Sequence, residues 1–158
     1  MGFIKELSHG KLLGHPIHVM TIHFPMALFP ACFIFDLTAY IKDDPSLALC
    51  GFYCMGGGLA GAYLASIFGT IDLMHLPDDK VVRDKALIHA GINFTGILVY
   101  TGLMAFRFKS YLHIPPIWEI IVNGLLIMFI LFSAHLGGDL VLKHKIGTIT
   151  NDKKGKRE

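Results

Sequence analysis

Charge is scarce in this chain. Only 16% of its residues are Asp, Glu, Lys or Arg, against roughly a quarter in average soluble domains, while 53% are apolar. That balance excludes an ordinary soluble domain. Cysteine is sparse too. Cys32, Cys50 and Cys54 all lie inside apolar stretches and no Cys-x-x-Cys-His occurs, so covalent c-type haem attachment is excluded; the three read as small apolar residues. Residues 1–13 lack an Ala-x-Ala cleavage site and do not read as a removable signal peptide. Glu6 stands where a myristoylation signal needs Ser or Thr. The segment reads instead as a short interfacial helix with Phe3, Ile4 and Leu7 toward lipid. No nucleophile–base pair or other complete catalytic set is present, so the chain is not read as an enzyme by itself.

What is there is apolar length. Four blocks each approach the ~20 residues needed to cross a hydrocarbon core, and a helix hides its own backbone polar groups from lipid. The sequence therefore predicts an all-α fold, an integral membrane four-helix bundle with both termini on the same, cytoplasmic, side. Its parts are an interfacial segment (1–16), a four-helix transmembrane domain (17–142) and a basic polar tail (143–158). The helices are expected at about 17–41, 46–74, 85–106 and 117–142. Pro25 and Pro30 should bend the first, and Asp44-Pro45 is a start signal for the second. Gly57, Gly61, Ala65 and Gly69 repeat every four positions in the second helix, a stripe that lets a neighbouring backbone or a flat ligand approach closely. No convincing internal repeat is visible.

Of the fourteen Lys and Arg, eleven fall on the side of the termini and three, Lys42, Arg107 and Lys109, on the other. The positive-inside rule makes the first side cytoplasmic. A bacterial inner membrane is the expected location, and the tail Lys153-Lys154-Gly155-Lys156-Arg157 is expected to meet anionic lipid rather than nucleic acid.

The nine histidines are many for so small a membrane protein. At 1.5 Å rise per residue, all except His113 gather in the half nearest the termini. His23, His89 and His135 come from three helices at similar predicted depth, with His18 and His144 nearer that surface. A polar or ionisable side chain below the membrane surface is costly and points to function; the plainer reading is that each ring only hydrogen-bonds across helices. Asn93 and Asp139 lie four residues after His89 and His135, on the same helix faces, where they can orient a ligating imidazole. Asp72, three before His75, can do the same.

Haem b needs one or two axial histidines from facing helices, a flat apolar slot, and cations for its propionates. His23, His89 and His135 are the main axial candidates, and His18 with His144 would serve a second haem. Arg83, Lys80, Lys85, Lys143 and Lys145 are the candidate propionate contacts. His23, His89 and His135 are also the ligands of the competing reading, a non-haem metal protein or metal transporter. That reading lacks the repeated His-x-x-x-His and His-x-x-His-His boxes of membrane di-iron desaturases. A third reading is a scaffold subunit.

Gly14-His15-Pro16-Ile17-His18 with His23-Phe24-Pro25, and His135-Leu136-Gly137-Gly138-Asp139-Leu140-Val141 with His144 and Gly147, resemble the opening and closing motifs of an uncharacterised bacterial membrane family, the domain of unknown function 2231. Asp72, His89 and Asn93 fit its middle, and the resemblance spans roughly Gly14 to Gly147. Val19 stands where the family commonly has a second proline. The resemblance implies a compact four-helix membrane domain, sometimes found with cytochrome or other redox modules. The expected function is thus electron transfer through one or two haems b, with a quinol or quinone, another cytochrome or a complex subunit as partner. Asp36 is a candidate proton-relay carboxylate; its plainer reading is a carboxylate bonded to a neighbouring helix. Tyr53, Tyr63, Tyr100 and Trp118 read as packing or interfacial residues.

Overall fold

A computed structural model describes residues 10–13, 15–144 and 146. Residues 1–9 of the expected interfacial segment (1–16) and most of the basic tail, including Lys145, lie outside the described residues. Lys11–Leu12 (β1) pairs antiparallel with His15–Pro16 (β2), a small hairpin where continuation of an interfacial segment was expected. The chain then enters α1 (Ile17–Thr21) and α2 (His23–Lys42), which together make one 26-residue span. α3 (Pro45–Met74), α4 (Lys80–Arg107) and α5 (Ile117–Leu142) are the other three. The four spans hold 26 to 30 residues, or about 39–45 Å of helix at 1.5 Å per residue, enough to cross a ~30 Å core with ends to spare.

Local chemistry explains the boundaries. Pro25 has no N–H to return to the Thr21 carbonyl, and the first span is interrupted just before it, at Ile22. α2 ends on Asp43, whose left-handed φ of 52° closes the helix. Asp44 caps α3 by accepting from the Ser46 N–H, with Pro45 at the first helical position. α4 begins at Lys80, five residues before the predicted start. The charged stretch 75–84 was expected to be loop throughout, but the Asp79 carboxylate accepts from the N–H groups of Val81 and Val82 and caps the helix there.

Consecutive spans run antiparallel and pack as two hairpins, α1/α2 with α3 and α4 with α5, closed into a bundle by α3 on α4 and α2 on α5. The glycine stripe of α3 is the seam of the first hairpin. A Cβ at Gly57 would meet Leu28, one at Gly58 would lie 2.7 Å from the Phe29 ring, and one at Gly61 would strike Phe24. Close helix approach through small residues replaces the hydrophobic driving force that lipid removes. The central core joins both hairpins through Phe29, Met55, Leu59, Tyr100, Leu103 and Leu126. There the Phe29 and Tyr100 rings stack at 3.8 Å with 3° between planes. Ile34, Ile67, Phe94, Leu98, Phe129 and Phe132 are each more than half exposed on the outer faces. A water-soluble monomer rarely carries so much exposed apolar surface, whereas lipid covers it without cost.

Candidate functional site

The end of the bundle where α1 begins carries two side-chain arrangements of the same construction. In the first hairpin, His18 on α1 reaches α3, and its Nδ1 lies 2.8 Å from the Ala65 carbonyl oxygen. In the second, His89 on α4 reaches α5, and its Nδ1 lies 2.8 Å from the Ser133 carbonyl oxygen. Four residues beyond each acceptor is a glycine whose missing side chain admits the ring. A Cβ on Gly69 would come 2.9 Å from His18 Cε1, and one on Gly137 would come 2.8 Å from His89 Cε1. The two hairpins therefore repeat one device: an early histidine, and a late small-x-x-x-Gly pair that accepts it. The sequence showed no repeat because the shared part is three residues spread over two helices.

The device fixes chemistry as well as position. A carbonyl only accepts, so each Nδ1 carries the hydrogen and donates it. The lone pair then resides on Nε2, the arrangement in which a backbone carbonyl orients an imidazole for ligation. Among the described residues, the His18 hydrogen bond goes through Nδ1 alone. His89 has further neighbours. Asn93 Nδ2 donates to the His89 carbonyl at 2.9 Å and to Ser133 Oγ at 2.8 Å. It also lies 3.4 Å from ring Nδ1 and 3.2 Å from Nε2; with the hydrogen on Nδ1, Nε2 is the ring nitrogen that accepts from the amide. Asn93 thus lies on the His89 face of α4 and ties that turn to Ser133 of α5.

The remaining sequence candidates separate from this pair. His23 and His135 are exposed on the bundle surface, and His23 Nδ1 turns back to the Met20 carbonyl of its own chain segment at 3.2 Å. Similar depth did not bring the expected trio of His23, His89 and His135 together. Five residues rotate His23 about 140° from His18, and two residues rotate His135 about 200° from Ser133, at 100° per residue. His144 is half-buried past the end of α5. Asp139 was expected to orient His135; instead it pairs with Lys143 at 2.7 Å and Lys85 at 3.3 Å, so those two lysines are held by protein. Lys80 and Arg83 are exposed at the same end. Asp72 lies beside Gly10 and within the field of His18, His75 and Lys11, and His75 Nδ1 meets the Ile71 carbonyl at 2.8 Å. A cleft of about 160 Å³ at this end is lined by Leu73, Met74, Leu76, Pro77, Asp78 and Arg83. Among the described residues there is no group of three or more His, Cys, Asp or Glu placed to hold a metal ion.

At the opposite end, three charged side chains are buried together. Arg107, the last residue of α4, donates through both terminal nitrogens to Asp36 of α2, at 2.7 and 3.0 Å, and to the Ala48 carbonyl of α3 at 3.3 Å. Glu119 of α5 lies 3.7 Å from Arg107 Nε. All three are under 5% exposed. Asp36 is thus bonded to a neighbouring helix, as its plainer reading held, and Glu119 was missed by sequence reasoning. Its position in the first turn of an apolar helix, opposite the end of a helix finishing in arginine, was the available signal.

Four apolar spans around internal hydrogen-bonded polar residues define an integral membrane helical bundle. The chain belongs to the family described as predicted membrane protein (DUF2231), whose profile matches residues 14–150. No curated protein and no solved structure matches the chain.

Proposed function

We propose that this membrane protein binds haem b with His18 and His89 as the axial pair and passes electrons within a membrane redox chain. The observation that carries the reading is the duplicated anchoring of the two imidazoles, which fixes the lone pair of each on Nε2; on His89 the Asn93 amide, 3.2 Å from Nε2, must turn aside for ligation. A porphyrin supplies four equatorial nitrogens, so two side chains complete its iron. A non-haem ion would need further protein ligands, and the described residues do not gather them. For that reason haem is favoured over the non-haem metal or metal-transport reading. When bound, haem supplies one-electron redox chemistry; the chain supplies ligands, orientation and an apolar surround. Lys80 and Arg83, exposed at that end, are the cations available to propionates. The 160 Å³ cleft, lined by neither His18 nor His89, is below the ~300–1,000 Å³ of small-molecule pockets and is not the slot a macrocycle held by these imidazoles would occupy. The excess of Lys and Arg on the terminal side supports a cytoplasmic placement of this site in a bacterial inner membrane, with a quinone or another redox subunit as partner.

A scaffold role uses the same Nδ1 bonds and the Asn93 contact to His89 Nε2, which by themselves bolt each hairpin together, but makes no use of the His18 Nε2. An absorption spectrum of the purified protein separates the readings. A Soret band that shifts on reduction is expected. A colourless protein carrying stoichiometric zinc, iron or copper would replace haem with a metal, and a colourless, metal-free protein would leave the scaffold.

A further inference from the structure

The buried cluster at the end away from the histidines is out of charge balance. One guanidinium, Arg107, faces two carboxylates, Asp36 and Glu119, and each of the three is at least 95% buried. Asp36 takes both terminal guanidinium nitrogens. Glu119 is left with only the 3.7 Å approach to Arg107 Nε, beyond hydrogen-bonding distance. Its Oε2 is buried without a hydrogen-bond partner. An ionised carboxylate oxygen in that position is costly, because burial removes water and the single cation is already engaged. A carboxylic acid removes the excess charge and converts a bare acceptor into a hydroxyl.

We propose that Glu119 is a proton-binding site, holding a proton that exchanges with the aqueous phase on the side of the 43–44 and 108–116 turns. Uptake is balanced as a hydronium ion giving its proton to the Glu119 carboxylate and leaving as water, with the cluster gaining one positive charge. Arg107 of α4 and, beyond it, Asp36 of α2 face Glu119, and that pair is bonded in turn to Cys32 of α2 and the Ala48 carbonyl of α3, with Asn123 of α5 and Tyr100 of α4 reached through Cys32. These groups also connect it inward. From Arg107 the contacts pass to Asp36, then to the Cys32 thiol at 3.4 Å, to Asn123 Nδ2 at 3.4 Å, and from Asn123 Oδ1 to the Tyr100 hydroxyl at 2.7 Å. Tyr100 stacks on Phe29 in the central core. Charge stored on Glu119 is therefore placed at the outer end of a polar chain that reaches mid-membrane. The site stands independently of haem, since neither His18 nor His89 contributes to it.

Infrared spectroscopy of the full chain in liposomes tests the proposal. The chain has three glutamates, and the other two, Glu6 and Glu158, sit near its ends. Protein labelled with 13C at the glutamate carboxyl should show a carboxylic-acid C=O band at neutral pH that shifts with the label and with deuterium exchange. The band should vanish in Glu119→Gln and persist in Asp139→Asn. Absence of an acid band, a band that moves only with 13C-aspartate, or a band that survives Glu119→Gln would overturn the assignment. So would its replacement, on adding sodium at fixed pH, by an ionised-carboxylate band, which would make the occupant a metal cation. The labelled native chain decides the matter even if Glu119→Gln does not fold.

Discussion

Replacing Gly137 with alanine should act through His89 rather than through the helix that carries it. The new Cβ would sit 2.8 Å from His89 Cε1 and 3.3 Å from Nδ1. Relief to an ordinary contact of 3.4 Å needs the ring to retreat by at least about 0.6 Å. A shift of that size along the Nδ1···O=C bond to Ser133, now 2.8 Å, carries it past the ~3.2 Å limit of a good hydrogen bond. Interhelical hydrogen bonds in membrane proteins are worth about 0.6–1.7 kcal/mol, and overpacking adds about 1 kcal/mol or more. Against this stands a helix-propensity gain of up to ~1 kcal/mol for Gly→Ala. The expected net loss is about 1–2 kcal/mol, measured by denaturant titration in detergent. Gly69→Ala should cost about the same, because its Cβ would stand 2.9 Å from His18 Cε1. Gly138→Ala, with nothing within 4 Å, should be neutral or stabilising. The decisive comparison is a double-mutant cycle: in a His89→Ala background the cost of Gly137→Ala should disappear. An equal cost with and without the imidazole would refute the reasoning.

Two further outcomes follow from the packing. Arg107→Leu leaves the buried Asp36 carboxylate without its cation and should cost about 3–5 kcal/mol, whereas Arg107→Leu with Asp36→Leu should recover much of that loss; equal destabilisation by the single and double changes in the same titration would contradict the ion-pair account. Asp79→Ala removes the cap of α4 and should cost about 1 kcal/mol while increasing amide exchange at residues 80–83; unchanged exchange would show that the cap does not set that boundary.

The four spans were legible because membrane crossing depends on two properties a sequence displays directly, apolar length and low charge. The start of α4 was not. Lys80, Arg83 and Asp84 read as loop by composition, while the deciding group was one carboxylate, Asp79, just ahead of them. The same distinction runs through the site. Depth along a helix follows from residue counting, so gathering the histidines at one end was within reach. Azimuth decides which rings meet, and it depends on which face of each helix its partner covers. His23 and His135 share depth with His89 by counting but turn outward; His18, placed second in the sequence reading, turns inward onto α3. The spacings Ala65-x-x-x-Gly69 and Ser133-x-x-x-Gly137 were readable as close-approach stripes, yet nothing in one dimension pairs each with a particular imidazole. Asp36 and Arg107 were visible as charges near span ends, but their bidentate contact joins α2 to α4 across 71 positions of sequence.

The most direct measurement is the electron paramagnetic resonance spectrum of the oxidised, haem-loaded protein and four single variants. A bis-imidazole iron gives a low-spin signal. His18→Ala and His89→Ala should each abolish it, while His23→Ala and His135→Ala should leave it in place. Loss of the signal in the His23 or His135 variant, with retention in the other two, would contradict the assignment of ligation to the glycine-notched pair.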